Sequence, residues 1–574
     1  MLGQDCISSI FLMDCICRHC SQAFTVTSED LAFYDKVSPV IGGKKESIPL
    51  PTLCPDCRLI QRLTFRNERN LYRRHCSLCR KMMVCMYPSD APYEVYCRDC
   101  WWSDQFDPLA SGRPFDFTKS FTEQMTALVR ATPLPHLVIG DCENSDFTNY
   151  AWQNRNTYLL TSSDYSEDCY YGSYVIRSKN CIDCTFISES ELCYECIDSR
   201  ACYQGIHLRD CQNCSDCAYL EHCHGCRSCI GCSGLRNAEN YLFNKKVTPA
   251  EIATARKYLW TGDVERMFLK LHASVPQPHA CLEQCEESTG DHLRSCRNAR
   301  HCFDLVEAED CGYTTLGLRP KSCMDATGVP SSELCYQVAA CPEDYALLYS
   351  AVIWPKSSYL LYSLFSRASS HCFGCVSLHK NSYCILNRQY TREEYESLLP
   401  RIIAHMRKTP LRSLDGNSAG YEWGEFFGSS VTPFAYNETI AQEYFPSDPS
   451  QSLSKGWQWR KEEEQTDQYM GPPVSIPPTI DDVDDRITQS ILLCSVSGKP
   501  YKIIPQELSF YRKLGIPIPR KSPDQRHQER MQLRNPRKLW MRKCVKCAKD
   551  MQTTYQLSRP EIVYCEPCYL SSVY

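Results

Sequence analysis

The stretch Asp210–Cys232, DCQNCSDCAYLEHCHGCRSCIGC, carries cysteines at 211, 214, 217, 223, 226, 229 and 232, each separated from the next by a multiple of three. The same register runs back through Cys202, Cys196, Cys193, Cys184, Cys181, Cys169 and Cys142. It returns in a second set, Cys281, Cys296, Cys302, Cys311, Cys323, Cys335 and Cys341, with Cys285 off it. Asp or Asn often stands directly before the cysteine, as at Asp210, Asn213 and Asp216. A period of three suits neither a helix of 3.6 residues per turn nor a strand with period two. It predicts a cysteine-rich β-solenoid of very short strands, in which Asx residues turn the corners and small side chains stack inside.

Working outward, the lattice is itself duplicated. Cys229-Ile-Gly-Cys232 with Asn244 and Thr248-Pro-Ala-Glu251 matches Cys372-Phe-Gly-Cys375 with Asn387 and Thr391-Arg-Glu-Glu394. T-x-x-E is a capping box, so a helix is predicted to close each half. An amphipathic helix near 118–131 (Phe117, Phe121, Met125, Leu128) is predicted to seal the start of the first half.

A second duplication brackets the lattice. Residues 54–100 align without a gap onto 522–568: Pro55-Asp56 on Pro523-Asp524, Arg66-Asn67 on Arg534-Asn535, Tyr96-Cys97 on Tyr564-Cys565. Upstream, Leu31, Phe33, Tyr34 and Lys36 match Leu508, Phe510, Tyr511 and Lys513. The fold class expected is therefore mainly β with α: treble-clef or zinc-ribbon-like modules at both ends of a helix-capped β-solenoid. The boundaries expected are a first module at 15–104 and a connecting helix at 105–140. Solenoid halves follow at 141–272 and 273–410, then an irregular segment and linker at 411–490, and a second module at 491–574. The Ser/Pro-rich and acidic composition of 446–490 suggests a flexible tether.

Forty-one cysteines in 574 residues, an odd number in a large chain, argue against a secreted disulfide framework. Ile7–Cys17 is too short and lacks the basic start of a signal segment. No apolar run approaches the ~20 residues that span a bilayer, so a cytoplasmic protein without membrane contact is expected. At 43% hydrophobic and 23% charged, the composition excludes wholesale disorder.

Cys76-x2-Cys79-x17-Cys97-x2-Cys100 recurs as Cys544-x2-Cys547-x17-Cys565-x2-Cys568. Paired CxxC knuckles at this spacing surround one Zn²⁺ with four thiolates and leave no open position, which marks structural sites. A third quartet is Cys17, Cys20, Cys54 and Cys57. Its counterparts in the second copy are Cys494, Ser497, Ser522 and Gln525. Three of the four have been lost together, which identifies them as ligands of one ion, so three Zn²⁺ sites are expected.

The net charge of −5 conceals segregation: residues 51–81 carry a surplus of six positive charges and residues 520–550 a surplus of eight. Helical spacing aligns Arg58, Arg62, Arg66, Arg69 and Arg73, and in the copy Arg526, Arg530, Arg534 and Arg537. Guanidinium groups fork phosphate, so nucleic-acid binding is the first functional expectation, RNA ahead of DNA. Tyr72, Trp101, Trp102 and Trp540 could stack on bases or pack the modules. Two alternatives stand beside it: a scaffold docking protein partners on the solenoid, and metal storage or sensing by the cysteine lattice. P-loop, GxGxxG, G-x-S-x-G and H-E-x-x-H signatures are absent, which leans the reading away from an enzyme.

The phrases CPDCRLIQRLTFRNERNLYRRHC, VYCRDCWWSDQFDP, GLRNAENYLFNKK, PFAYNETIAQEYFP and RNPRKLWMRKCVKC resemble a cysteine-rich protein family of small bacteria of the candidate phyla radiation. The resemblance spans nearly the whole chain. It implies a bacterial cytosolic zinc protein and no particular activity. Members of that family keep more cysteine in the second module, so Ser522 here implies an empty fourth quartet.

Overall fold

The computed structural model describes residues 13–340, 342–412, 418–461 and 474–573; the lattice residue Cys341 lies outside them. The lattice is a β-solenoid of about 20 turns within a mixed β and α fold. Parallel pairing joins Ser173 to Thr185, Thr185 to Ile197 and Tyr203 to Ser215, so one turn takes twelve residues. Four sides of three residues require four corners, and a residue of positive φ stands at almost every third position. Asp210, Asn213 and Asp216 adopt φ of 50°, 52° and 55°. The corner also accepts Tyr171, Phe186, Leu192 and Val352, although L-residues pay roughly 1–2 kcal/mol for left-handed backbone. Hydrogen bonds between turns offset that cost: Tyr170, Ile182 and Tyr194 donate to the carbonyls of Cys181, Cys193 and Gly205 at 3.0, 3.0 and 2.9 Å.

The residue after each corner points inward, and the narrow bore admits only small or compact side chains. Cys169, Cys181, Cys184, Cys193, Cys196, Cys217 and Cys223 are fully buried beside Val175, Ile187, Leu208 and Leu220. Each thiol has a partner: Cys181, Cys184 and Cys193 donate to the carbonyl two residues back at 3.3, 3.4 and 3.5 Å. Ser178 and Ser190 use the same bond at 3.0 and 2.9 Å. Cysteine therefore acts here as a small hydrophobe with a weak donor, interchangeable with serine. Burial pushes Cys302 up to about 12 and Cys372 well above the usual thiol range. Hydrogen bonds from neighbouring thiols take others the opposite way: Cys181 holds Cys193, and Cys311 holds Cys323, well below that range.

Both predicted capping boxes form. Thr248 accepts from Glu251 N at 3.3 Å and Thr391 from Glu394 N at 3.2 Å. A hairpin precedes each helix, Tyr241–Leu242 with Lys245–Lys246 and Cys384–Ile385 with Arg388–Gln389. Asn244 and Asn387 plug the last rung: their side chains accept from Ser233 N and Val376 N at 3.0 and 2.8 Å and return a bond to the same residues' carbonyls.

The chain forms two compact units that cross the sequence order. One combines residues 1–137 with 281–460; the other combines 138–280 with 461–574. Each terminal module thus belongs with the solenoid half that is farther away in sequence. This corrects two expectations. Helix Phe121–Ala131 packs on the second half, with Phe121 5.1 Å from both Tyr362 and Phe373, rather than sealing the start of the first. The segment read as irregular chain and tether is largely packed. Trp423, Phe426, Tyr436, Ile440 and Trp457 are buried, and Ile480, Val483 and Ile487 enter the core around the C-terminal module. Residues 462–473 of that linker lie outside the described ones. Among the described residues no helix is long and apolar enough to cross a membrane.

Candidate metal centres

The duplicated sequence folds twice in the same way. In the first module a hairpin (Tyr72–His75 with Met82–Cys85) presents Cys76 and Cys79 to Cys97 and Cys100; in the second, Trp540–Lys543 with Asp550–Thr553 presents Cys544 and Cys547 to Cys565 and Cys568. Cys17 and Cys20 follow the Met13–Ile16 strand, and Cys54 and Cys57 open helix Pro55–Leu63. The ligand atoms of each of these three quartets lie within 4.8 Å of one another. One sulfur pair in each is 3.7, 3.7 and 3.6 Å apart (Cys20–Cys54, Cys79–Cys97, Cys547–Cys565). A tetrahedron with metal–sulfur bonds of about 2.3 Å has edges of about 3.8 Å, so the donor sets fit a metal ion held by four thiolates. The pairing inferred from the joint loss of ligands is the one the fold makes.

Backbone N–H groups favour thiolate in these knuckles. Burial raises Cys76, yet donors from Cys97, Cys79 and Leu78 bring it down to about 7. Cys544 is likewise raised by burial and brought to about 6 by Cys565, Cys547 and Lys546. The positions equivalent to the first quartet, Cys494, Ser497, Ser522 and Gln525, offer one thiol. Cys494 remains buried in the hairpin of Leu492–Leu493 with Pro500–Tyr501. Ser522, where the first copy has Cys54, now caps its helix by accepting from Gln525 N at 3.3 Å, and Gln525 Nε2 donates to Glu529 at 3.1 Å. Serine is among the best residues for that cap, so Ser522 opens its helix where Cys54 of the first copy stands in a cysteine quartet.

The arginines expected to meet phosphate are turned inward. Arg58 and Arg62 are 2% and 0% exposed, and both pair with Asp325, at 2.8 and 3.3 Å. Arg62 Nε also donates to Thr327 at 3.4 Å. In the other unit Arg526 and Arg530 are 3% and 1% exposed and share Asp183, at 2.9 and 3.1 Å, while Arg530 Nε donates to Thr185 at 3.3 Å. The resemblance extends to the aromatic contacts. Arg58 lies over Tyr313 and Arg526 over Tyr171, at 5.6 and 5.3 Å. Tyr34 meets Tyr336 at 5.1 Å, and Tyr511 meets Tyr194 at 5.8 Å. Every lattice partner in one unit is 142 residues from its counterpart in the other. The duplicated element is therefore the docked pair of module and solenoid half, held by an Arg–Asp–Arg lock.

The remaining expected positions divide. Arg66 is buried against Glu68 at 2.7 Å, Arg69 lies 3.8 Å from Glu443, and Arg73 is exposed. Arg534 grips Asp198 at 2.8 Å across Phe186, and Arg537 is buried. Trp101 is 1% exposed and stacks on Phe106 at 4.9 Å, Trp102 stacks on His379 at 5.0 Å, and Tyr72 donates to Glu438 at 2.7 Å, so these rings pack the fold. Trp540 is half-buried with Lys538 over it at 5.8 Å. Asp183 and Asp325, the hubs of the locks, escaped the sequence reading. Their signal was the shared 142-residue offset, which links IDCT (182–185) to MDAT (324–327).

No protein-family model matches the chain, and no curated protein matches it.

Proposed function

We propose that the protein is a non-enzymatic scaffold whose terminal modules are stapled by three Zn²⁺ ions and whose solenoid wall docks protein partners. The observation that carries this reading is the burial of Arg58, Arg62, Arg526 and Arg530 against Asp325 and Asp183. A guanidinium committed to a buried carboxylate is not offered to phosphate, so the strongest argument for nucleic acid becomes an argument for internal docking. The outer wall supports the same choice. Its charges neutralise one another in ladders, Glu167 between Arg155 and Lys179 and Glu309 between Arg297 and Lys321, a pattern with little pull on a polyanion.

Along the second half, Tyr345, Tyr359, His371 and Tyr383 form a surface file of rings with centroids 5.6, 4.8 and 5.3 Å apart. Tyr345 and Tyr359 are 39% and 46% exposed. Tyr345 meets Tyr359 edge-on at 73°, while Tyr359, His371 and Tyr383 stack; tyrosine is a residue enriched at protein interfaces. A photo-crosslinking phenylalanine analogue at position 359 tests the choice. Adducts that resist nuclease and vanish with protease are expected. Adducts removed by nuclease, together with RNA affinity at ~50 mM salt that falls steeply as salt rises, would return the nucleic-acid reading to first place.

A further inference from the structure

The two solenoid halves open in the same way. Ile139 pairs with Ala151 one turn on, and Leu282 pairs with Leu293 across a turn one residue shorter. The residues just before these strands, Val138 and Cys281, are therefore equivalent: their carbonyls accept from Ala151 N and Leu293 N, both at 3.0 Å. One side chain ties off each opening. Asn149 Oδ1 accepts from Val138 N at 2.9 Å and from Tyr150 N at 3.0 Å. Asp291 Oδ1 accepts from Cys281 N at 2.8 Å and from His292 N at 3.0 Å. Tyr150 and His292 both turn the corner, with φ of 51° and 52°.

On this shared backbone three side chains differ together. Where the first half has Val138, Asn149 and Tyr150, the second has Cys281, Asp291 and His292. The neutral amide of Asn149 makes both tying bonds, so those bonds do not call for the charge of Asp291. Thiol, carboxylate and imidazole are instead the three side-chain types that ligate transition metals. Their ligand atoms lie within 4.8 Å of one another, with Asp291 Oδ1 3.7 Å from His292 Nδ1. A four-coordinate ion with bonds of about 2.0–2.3 Å sets its ligands about 3.3–3.8 Å apart, a spacing that small side-chain rotations reach. Asp291 is 4% exposed and oriented by its two backbone donors, as ligating carboxylates commonly are. Cys281 and His292 are half-buried.

We propose that Cys281, Asp291 and His292 form a fourth metal site, which binds one divalent transition ion such as Zn²⁺ or Co²⁺ and leaves one position for water. Sulfur and imidazole beside a single carboxylate select such ions over Mg²⁺ and Ca²⁺. Three protein ligands and an open position make this site exchangeable, unlike the closed quartets. Purified protein therefore keeps three ions and takes up the fourth on addition. This goes beyond the scaffold reading and is independent of it.

The test is a Co²⁺ titration of full-length protein that already holds three zinc ions, with released zinc measured throughout. One further equivalent is expected, with thiolate-to-cobalt charge transfer and the visible bands of a four-coordinate ion. Cys281→Ser should abolish the charge-transfer band. The triple variant Cys281→Val, Asp291→Asn, His292→Tyr carries the first half's own residues, which this backbone accommodates. It should keep its three zinc ions and bind the added cobalt at least tenfold more weakly. No fourth ion taken up from a large excess of cobalt overturns the assignment. So does a fourth ion bound without thiolate charge transfer, or one that the triple variant retains with unchanged affinity.

Discussion

Replacing Asp325 with alanine is expected to cut the hydrogen-exchange protection of helix Pro55–Leu63 by roughly two to three and a half orders of magnitude, the equivalent of about 3–5 kcal/mol. The change leaves Arg58 and Arg62, 2% and 0% exposed, without the carboxylate they share. Two uncompensated guanidinium groups cannot stay buried, so the module must lift from the solenoid wall to hydrate them. Local exchange is the suitable observable, because a chain of two compact units has no single two-state unfolding free energy.

Asp183→Ala is expected to cost less in the other unit. There Glu195 stands 3.2 Å from Arg530 and Glu507 stands 3.4 Å from Arg526, so carboxylates remain after the substitution. Burial raises Glu195 to about 7 and also raises Glu507; losing Asp183 should lower both as they take over the arginines. The first unit has Gln337 where the second has Glu195. A loss below about 1 kcal/mol at both aspartates, the size of a surface pair, would mean that the locks are not buried in solution.

The second large effect concerns the metal. Wild-type protein should carry three zinc ions per chain, and Cys54→Ser should carry two. The thiol lost belongs to the quartet Cys17, Cys20, Cys54 and Cys57. The quartet Cys76, Cys79, Cys97 and Cys100 draws on none of these residues and should stay loaded. Structural zinc sites supply about 10–16 kcal/mol in isolated finger peptides, so the Met13–Ile16 and Ala23–Val26 hairpin should lose its exchange protection with the ion. Elemental analysis reads the count. Eight or more metals per chain, or iron, would promote the storage reading of the lattice. Loss of both first-module ions from a folded variant would mean that the quartets share ligands.

Much of this was legible in the chain. The triplet register of Cys211, Cys214 and Cys217 pointed to a solenoid because it fits neither the 3.6-residue helix nor the two-residue strand. The corner residues were visible only where they were Asp or Asn; Tyr171 and Val352 adopt the same backbone because the ladder imposes it. The quartets followed from spacing, and their pairing from shared decay.

The destination of the arginines was not legible from their helix alone. Helical spacing aligns Arg58 with Arg62 whether the facing surface is phosphate or Asp325, and a run of charges does not reveal which face is covered. Likewise, Ser/Pro-rich composition could not reveal that Ile480, Val483 and Ile487 would find an apolar core. Long-range burial decides both cases.

Arginine-specific labelling of the folded, metal-loaded protein by phenylglyoxal, read residue by residue by mass spectrometry, tests the central claim most directly. Arg73 and Arg80, both exposed, should react readily. Arg58, Arg62, Arg526 and Arg530 should stay unmodified until the protein is denatured. If these four react as fast as Arg73 in the native protein, the locks do not exist and the account built on them is wrong.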